Sequence, residues 1–289
     1  MQSEELLPIG EVARLTGVNP VTLRAWERRY GLITPERTAK GHRLYPQEQV
    51  VRVQAVLRWL ERGAVVSQVR ELLDRAPQDA PAPQGEWGSR IEQLVGAVGR
   101  LAQRPLDQQL NQAMALYPAR TVCEHLLLPL LDALALRWRT DFDARLEQAF
   151  FQTWLRSKLG ARVYHDSHSL PGPSVLLART DETPFDAHFW LCAWLLSSNG
   201  HALEILEWPV EPRQLRHAMT QLRARALVLH LGGHPDIRAL GRALHDVDAP
   251  KLLGGAAVLL HKAELDALDL PGLQLFDSPM AALRGLQQS

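Results

Sequence analysis

Five short apolar runs in residues 170–289 constrain the fold of this 289-residue chain more than any other feature. Stretches with the apolar spacing of helices separate the runs. Strands that alternate with helices form a parallel sheet covered by helices on both faces. We therefore predict a doubly wound, Rossmann-like domain of the flavodoxin-like kind over residues 170–289. The five runs are Val175–Ala178, Ala202–Glu207, Ala226–Leu231, Lys251–Gly255 and Leu273–Phe276.

The rest of the chain predicts three further segments, so the expected fold class is multidomain α plus α/β. Residues 89–169 carry apolar side chains three and four positions apart, which predicts a four-helix bundle. Residues 74–88, "DRAPQDAPAPQGEWG", are rich in Pro and polar residues and predict an extended linker. Residues 1–73 form the remaining, amino-terminal domain. The apolar residues of the predicted bundle include Leu126, Leu127, Leu130, Leu131, Leu134, Leu136, Leu146, Phe150, Trp154 and Leu155.

Composition limits the functions open to the chain. Its 32 basic and 32 acidic residues give a formal net charge of zero, so nucleic-acid contact requires a local basic patch. No stretch is apolar enough to cross a membrane, and "MQSEELLPIG" lacks the pattern of a secretory signal, so we expect a cytoplasmic protein without membrane partners. Cys123 and Cys192 stand far apart among apolar residues and are expected to be buried, reduced thiols.

A local basic patch is present between Val21 and Tyr45, where six Lys or Arg side chains meet two Glu. The sequence before it predicts a helix-turn-helix. Gly17 is a helix stop, Asn19 is a favourable N-cap, and Pro20 fits the first position of the next helix. This pattern is typical of DNA-binding domains whose second helix enters the major groove.

The second helix is expected to have one inward and one outward face. Leu23, Trp26 and Tyr30 share the inward stripe by their spacing. The other side carries Thr22, Arg24, Arg28 and Arg29. Arginines on an exposed helix face are suited to groove acceptors and to neighbouring phosphates.

The run "ITPERTAKGHRLY" predicts a hairpin wing with a turn at Lys40-Gly41. Its cationic side chains, Arg37, Lys40, His42 and Arg43, would lie along phosphates. A purely structural alternative remains open at this point, because an Arg-rich helix face is often solvated or paired with a nearby carboxylate such as Glu27.

These residues carry a family resemblance over about the first 73 positions. "IGEVARLTGVNPVTLRAWERRYGLITPERTAKGHRLYPQEQV", followed by "VLRWLERGAVVSQVRELL", resembles the winged-helix DNA-binding domain of the MerR family. The form "LRAWERRYGL" is similar to the subgroup that includes the CarH and LitR cobalamin-dependent light-sensing repressors and the biofilm-matrix activator MlrA. The resemblance implies DNA contact or backbone bracing by Thr22, Arg24, Arg28, Arg29, Tyr30, Arg37, Lys40, His42, Arg43 and Tyr45.

CarH-type relatives follow the winged helix with a bundle and a cobalamin-binding domain, and the predicted order agrees. Their bundle carries a Trp followed, after nine residues, by Glu-His, and their first strand leads into an Asp-x-His-x-x-Gly loop that supplies the cobalt ligand. In this chain Gln148 and Ala149 follow Trp138 at that spacing. The loop positions hold Thr183, Phe185 and His188. Because Phe cannot ligate a metal, the sequence predicts that cobalamin is not bound and that the chain is closer to MlrA.

Other polar residues of the last domain are expected to have ordinary structural roles. Asp181, Glu182 and Asp186 are expected to cap the following helix. The glycine turns Gly232–Asp236 and Leu253–Ala257 follow strands, where turns need Gly in any case. Five scattered histidines have no metal-ligand spacing, and these are His165, His168, His230, His234 and His261.

The functional expectation is a sequence-specific regulator that binds promoter DNA as a homodimer and is not an enzyme. The resemblance further implies action with RNA polymerase at overlong promoters, possible control of biofilm-matrix or stress genes, and contact with cyclic-di-GMP-metabolising proteins. Three alternatives stay open: a cobalamin sensor with rearranged ligands, a flavodoxin-like enzyme, and a protein-interaction hub.

Overall fold

The computed structural model describes residues 6–38, 41–75, 85–140, 144–168 and 170–288. Contacts divide the chain into two compact units, residues 1–151 and residues 152–289. The predicted linker 74–88 is helical at both ends, at 74–75 and 85–88, while its middle, 76–84, lies outside the described residues. The four-part division of the chain stays a prediction.

Unit 1 begins with a helix-turn-helix followed by a small antiparallel sheet, in the order β1-β3-β2. In the sheet Leu7 pairs with Tyr45, and Arg37 pairs with Arg43. The elements are β1 (Leu7–Pro8), α1 (Ile9–Thr16), α2 (Pro20–Ala25) continued by a π-helical turn (Trp26–Tyr30), β2 (Glu36–Arg37), β3 (Arg43–Tyr45), α3 (Gln47–Glu61) and α4 (Val66–Arg75).

Local sequence signals explain the turn between α1 and α2. Gly17 ends α1 in the left-handed region at φ 71°, a conformation that costs glycine little. The side chain of Asn19 accepts a hydrogen bond from the backbone N–H of Val21 at 2.8 Å, and Pro20 occupies the first helical turn. The predicted helix-turn-helix is therefore confirmed at its caps.

A helical bundle follows, as the sequence predicted. Its helices are α5 (Gly85–Gly99), α6 (Gln103–Leu116), α7 (Ala119–Val122) continued by a π-helical turn (Cys123–Leu127), α8 (Leu128–Thr140) and α9 (Ala144–His168), which begins in unit 1 and ends in unit 2. Most predicted apolar positions are buried, but Leu136 is 66% and Leu146 61% exposed. Both thiols are buried and free, and burial raises the pKa of Cys123 to about 12.

Unit 2 contains a five-stranded parallel sheet in the order β5-β4-β6-β7-β8. This is the flavodoxin-like order, so the predicted doubly wound fold is confirmed. The elements are β4 (Val175–Arg179), α10 (Ala187–Ser198), β5 (Leu203–Leu206), a 3-10 turn (Pro212–Gln214), α11 (Leu215–Leu222), β6 (Ala226–His230), α12 (Ile237–His245), β7 (Lys251–Gly254), α13 (Ala256–Leu260), α14 (Lys262–Asp266), β8 (Leu273–Leu275) and α15 (Pro279–Gln288).

The strand order places one end of the sheet where such folds bind ligands. The order reverses between β4 and β6, and in open α/β sheets the crevice beyond the carboxyl ends of those strands is the usual ligand site. Both strands are buried along their whole length, and α10 is buried from Phe189 to Ser197. Residues that directly follow β4 and β6 are therefore the ones to inspect in unit 2.

Candidate nucleic-acid interface and ligand edge

The second helix of the helix-turn-helix has the buried and exposed faces that its sequence predicted, except at Thr22 and Tyr30. Leu23 and Trp26 are fully buried, while Arg24, Arg28 and Arg29 are exposed. Tyr30, at the end of the π-helical turn, is partly exposed. Three arginines thus project from one short helical segment into solvent, available to groove edges and phosphates.

Two predicted contact residues are buried instead. Thr22 is 3% exposed, and the helix that carries it, α2, packs on α6 of the bundle. Tyr45 is 0% exposed at its place in β3. In this structure neither residue offers a surface to DNA, which contradicts the groove contact expected of Thr22 but not the bracing role expected of Tyr45. Tyr45 can only brace the wing from below, and burial raises the pKa of its hydroxyl.

The wing is held to the second helix by one carboxylate. Glu27 accepts a hydrogen bond from Arg43 Nε at 2.6 Å and one from Arg37 at 3.1 Å. The hydrogen bond from Arg43 to Glu27 raises the pKa of Arg43. Sequence reasoning had paired Glu27 only with neighbours on its own helix, whereas its partners lie 10 and 16 residues away. The spacing along the chain contains no signal for this contact.

Glu27 has a consequence for the charge pattern of the wing. Both Arg37 and Arg43 keep further N–H donors, and the side chain of Arg37 is 55% exposed. One carboxylate therefore orients two guanidinium groups, of which that of Arg37 is the more exposed and that of Arg43 the more buried. His42 is exposed beside them, while Lys40 lies outside the described residues.

Within unit 1, buried hydrogen bonds join the bundle to the winged helix. The indole N–H of Trp26 donates to the carbonyl of Leu116 at 2.8 Å. The hydroxyl of Tyr117 accepts from the backbone N–H of Val66 at 3.1 Å, and the indole of Trp87 donates to the carbonyl of Gly63 at 2.9 Å. Burial raises the pKa of Tyr117 to about 12, so this hydroxyl stays protonated. These side chains fix the inward face of the DNA-binding region.

Beside Trp138 in the bundle, Glu147 forms an ion pair with Arg137. Glu147 is 6% exposed and accepts two hydrogen bonds from Arg137, at 2.7 and 2.9 Å, and one from the indole of Trp138 at 3.3 Å. The contact with Arg137 lowers the pKa of Glu147. Gln148 and Ala149, which the sequence placed at the motif positions, are both exposed.

At the carboxyl edge of the sheet in unit 2, the polar side chains pair with one another. Arg179, 1% exposed at the end of β4, binds Asp181 and donates to the carbonyl of Thr183 at 2.5 Å. Asp186 caps α10 by accepting the N–H groups of His188 and Phe189, as the sequence predicted for this acidic cluster.

Asp186 also lies 3.2 Å from Nδ1 of His230, a buried residue at the end of β6. Burial opposes ionisation of Asp186, but the hydrogen bond and charge of His230 lower its pKa to about 2. The other ring nitrogen of His230, Nε2, has no hydrogen-bond partner among the described residues. Phe189 and Phe276 enclose this ring at centroid distances of 5.4 Å.

This edge does not fit a cobalamin bound as in CarH-type proteins. The loop after β4 presents Thr183 and a partly buried Phe185 where that motif has Asp and the ligating His. His188 lies within α10 with its side chain 56% exposed. The ring of Phe276 lies 2.1 Å from where a side chain on Gly254 would begin, so Gly254 is in close contact with that ring. Among the described residues, the loop after β4 therefore does not supply the cobalt ligand of that motif.

The remaining histidines form no metal centre in the part of the chain that the structure describes. No group of three or more His, Cys, Asp or Glu side chains there could hold a metal ion. His261 contacts the carbonyl of Gly233 at 3.2 Å and lies beside His234, with ring centroids 6.5 Å apart.

Among the described helices, none is long and apolar enough to span a bilayer.

Comparison with known sequences gives consistent matches. Residues 7–76 match the family described as "MerR HTH family regulatory protein". The chain is 30% identical over 226 residues to "HTH-type transcriptional regulator MlrA" of Escherichia coli (strain K12), covering 75% of this chain and 83% of that protein. It is 29% identical over 226 residues to "HTH-type transcriptional repressor CarA" of Myxococcus xanthus, covering 77% of this chain and 75% of that one.

A solved structure with a similar fold is the monomethylamine corrinoid protein of Methanosarcina barkeri. Its TM-score is 0.53 at 11% sequence identity, and the match covers 70% of this chain and 98% of that chain. At such low identity the likeness concerns the fold alone.

Proposed function

Because the chain belongs to the MerR family of DNA-binding transcription regulators, we propose that it binds a pseudo-palindromic promoter site as a homodimer. One short helix contacts too few base pairs for useful selectivity, and two copies related by a two-fold axis match a two-fold site. The contact surface of each copy consists of Arg24, Arg28 and Arg29 on the second helix, with Arg37, His42 and Arg43 on the wing.

The observation that carries this proposal is the arrangement of charge around Glu27. The helix arginines are exposed, and Glu27 holds two wing arginines beside them. A helix that reads bases and a wing that lies on phosphates would then act as one surface. We further propose that binding bends and untwists an overlong promoter for RNA polymerase, which is indirect readout used as a switch.

The proposal is tested by measuring the affinity of the protein for promoter fragments. The fragments come from genome-wide mapping of the sites that the protein binds. We expect Arg24→Ala and Arg28→Ala each to weaken specific binding by about ten- to a hundred-fold, the 1–3 kcal/mol typical of an arginine that reads a base. Arg104→Ala, on an exposed part of α6, is the matched control and is expected to retain the parent affinity. Unchanged affinity in both helix variants would count heavily against the reading helix.

For unit 2 we propose a sensor-like domain that works without cobalamin and without catalysis. The Phe185 side chain, at the position of the cobalt-ligating His, supports the absence of cobalamin. Its proposed role is to dock protein partners, such as enzymes of cyclic-di-GMP metabolism, or to bind an unidentified ligand. Biofilm-matrix or stress genes are the proposed targets, given the similarity to MlrA. We place the protein in the cytoplasm, where promoters and RNA polymerase are found.

A second candidate function is a cobalamin-dependent repressor with rearranged ligands. The likeness of fold to a corrinoid protein and the similarity to CarA favour it. The protein is incubated with adenosylcobalamin and passed through gel filtration, and the absorbance of the protein fraction is then recorded. This measurement distinguishes the two candidate functions. Co-elution of the corrin bands with the protein would support this second function and overturn the cobalamin-free proposal.

A further inference from the structure

A cavity of about 810 Å³ opens in unit 2, away from the carboxyl edge of the sheet. It lies along the outer strand β5 and beside Ser174 and Ala202, which precede β4 and β5. The end of α9 and the end of α11 form its other walls. Pockets of roughly 300–1,000 Å³ are those that enclose small organic molecules.

The walls of this cavity suit a flat apolar body. Val163, Leu203 and Leu222 supply aliphatic surface, and Trp190 contributes its ring. Tyr164 and His168 also line the cavity and stack on each other, with centroids 5.6 Å apart at 21°. Tyr164 is 72% exposed, so a large aromatic face remains open to a bound ring.

One buried polar atom of the cavity wall, Oγ of Ser167, has no hydrogen-bond partner among the described residues. A buried donor or acceptor without a partner costs about 1–3 kcal/mol, and polar atoms of a ligand would remove that cost.

A cationic residue at the lip of the cavity has an unusual backbone. Arg223 ends α11 in the left-handed region at φ 50°, where its N–H is bonded to the carbonyls of Met219 and Thr220. Gly or Asn fits this conformation with less strain. Arg223 and Glu204 both line the cavity, and both residues are exposed.

We propose that this cavity binds a small molecule with a flat, apolar body and one anionic group. The body lies between the Tyr164–His168 stack and the aliphatic wall, and the anion faces Arg223. The hydroxyl of Ser167 contacts a polar atom of the ligand. The inference deepens the proposed sensor role of unit 2 and rests on that role for its regulatory meaning.

The test uses the full-length protein and 1-anilinonaphthalene-8-sulfonate, a flat aromatic anion, followed by fluorescence and calorimetry. One saturable site is expected. Ser167→Phe, which fills the cavity, is expected to weaken that site at least about ten-fold, and Ser157→Phe, on an exposed turn of the same helix, is the matched control. Arg223→Asn suits the backbone while removing the charge and is expected to weaken binding about five-fold, whereas Arg216→Asn, exposed on the same helix, leaves it unchanged.

Only weak, unsaturable binding, or equal binding by Ser167→Phe and Ser157→Phe, would overturn the proposal. If Ser167→Phe does not fold, the Arg223 and Arg216 pair decides, and equal affinities in that pair would overturn it. DNA affinity is measured on the same samples. If the protein binds the probe but does not bind promoter DNA, the result would contradict the proposed promoter function and support the proposed ligand site in the cavity.

Discussion

The cationic face of the winged helix and the carboxyl edge of the sheet in unit 2 contain similar residue types, arranged in opposite ways. In the winged helix, Glu27 stands behind two arginines and leaves their outer N–H groups free for a further partner. At the sheet edge, Arg179 and Asp181 bind each other, and Asp186 binds His230. Charged residues mark a functional surface when some of their bonding capacity points outward. A cluster whose charged groups bind mainly one another, as at this edge, stabilises the fold, and here Nε2 of His230 is left without a partner among the described residues.

The largest effect is expected from the buried side of the cationic face. Trp26→Ala removes a fully buried indole and its hydrogen bond to Leu116, so the free energy of unfolding of unit 1 should fall by about 3–5 kcal/mol. Urea unfolding followed by circular dichroism measures this loss. Trp208→Ala, at a site that is 80% exposed, is the control and should change stability little. Equal losses in the two variants would show that Trp26 does not anchor the reading helix.

A second substitution tests the close contact between Gly254, at the end of β7, and the ring of Phe276. Gly254→Ala drives a methyl group into the ring of Phe276, and we expect a loss of about 1–3 kcal/mol in the stability of unit 2. Gly10→Ala, in α1 with open space around it, should instead be neutral or slightly stabilising. Thermal unfolding of both variants gives the comparison. A tolerated Gly254→Ala would contradict the close contact between Gly254 and the ring of Phe276.

The Asp186–His230 contact predicts a dependence of stability on pH. The folded pKa of Asp186, about 2, lies below its ordinary value of 3.8, so its stabilisation is complete above pH 3.8 and disappears as the pH falls towards 2. The shift corresponds to roughly 2 kcal/mol. Urea titrations between pH 2 and 6 should show this loss in the parent and a reduced slope in Asp186→Asn. Parallel profiles for the two proteins would contradict the role assigned to Asp186.

The smallest effect is expected from Glu27→Gln, which tests how the carboxylate behind the wing arginines contributes to DNA binding. Removing the charge frees Arg37 and Arg43 from their fixed positions and removes a negative group from the DNA-facing side. We expect equal or tighter binding to random DNA, but a specificity ratio lower by about three- to ten-fold, the order of one charge-assisted contact. Anisotropy titrations with promoter and random duplexes measure the ratio. Glu36→Gln, on the exposed strand β2, should leave it unchanged.

Much of the fold followed from local patterns in the sequence. The five apolar runs became the five strands of the parallel sheet because each is short, apolar and bounded by turn residues. Asn19 and Gly17 acted as the caps that their chemistry predicts. Leu136 and Leu146 fit a helical stripe but are exposed, since spacing alone does not say which helices have neighbours on every side.

The site was less predictable because its contacts join distant parts of the chain. Arg24 and Arg28 were correctly placed on an exposed helix face by periodicity. The helix that carries the buried Thr22 packs on α6, about 80 residues further along, and no local pattern contains that contact. The pairing of Glu27 with the wing is equally long-range. The sequence could identify the residue types of the interface, but only the packing determined which of them face outward.

The central claim is that the arginines of the second helix and wing bind duplex DNA, and the salt dependence of affinity for promoter fragments tests it most directly. The account predicts that log K falls linearly with log salt concentration, with a slope of about −4 or steeper for a dimer that neutralises several phosphates. The slope should become shallower when Arg28 and Arg37 are replaced by Gln. No binding at about 50 mM salt, or an affinity that does not depend on salt, would contradict it.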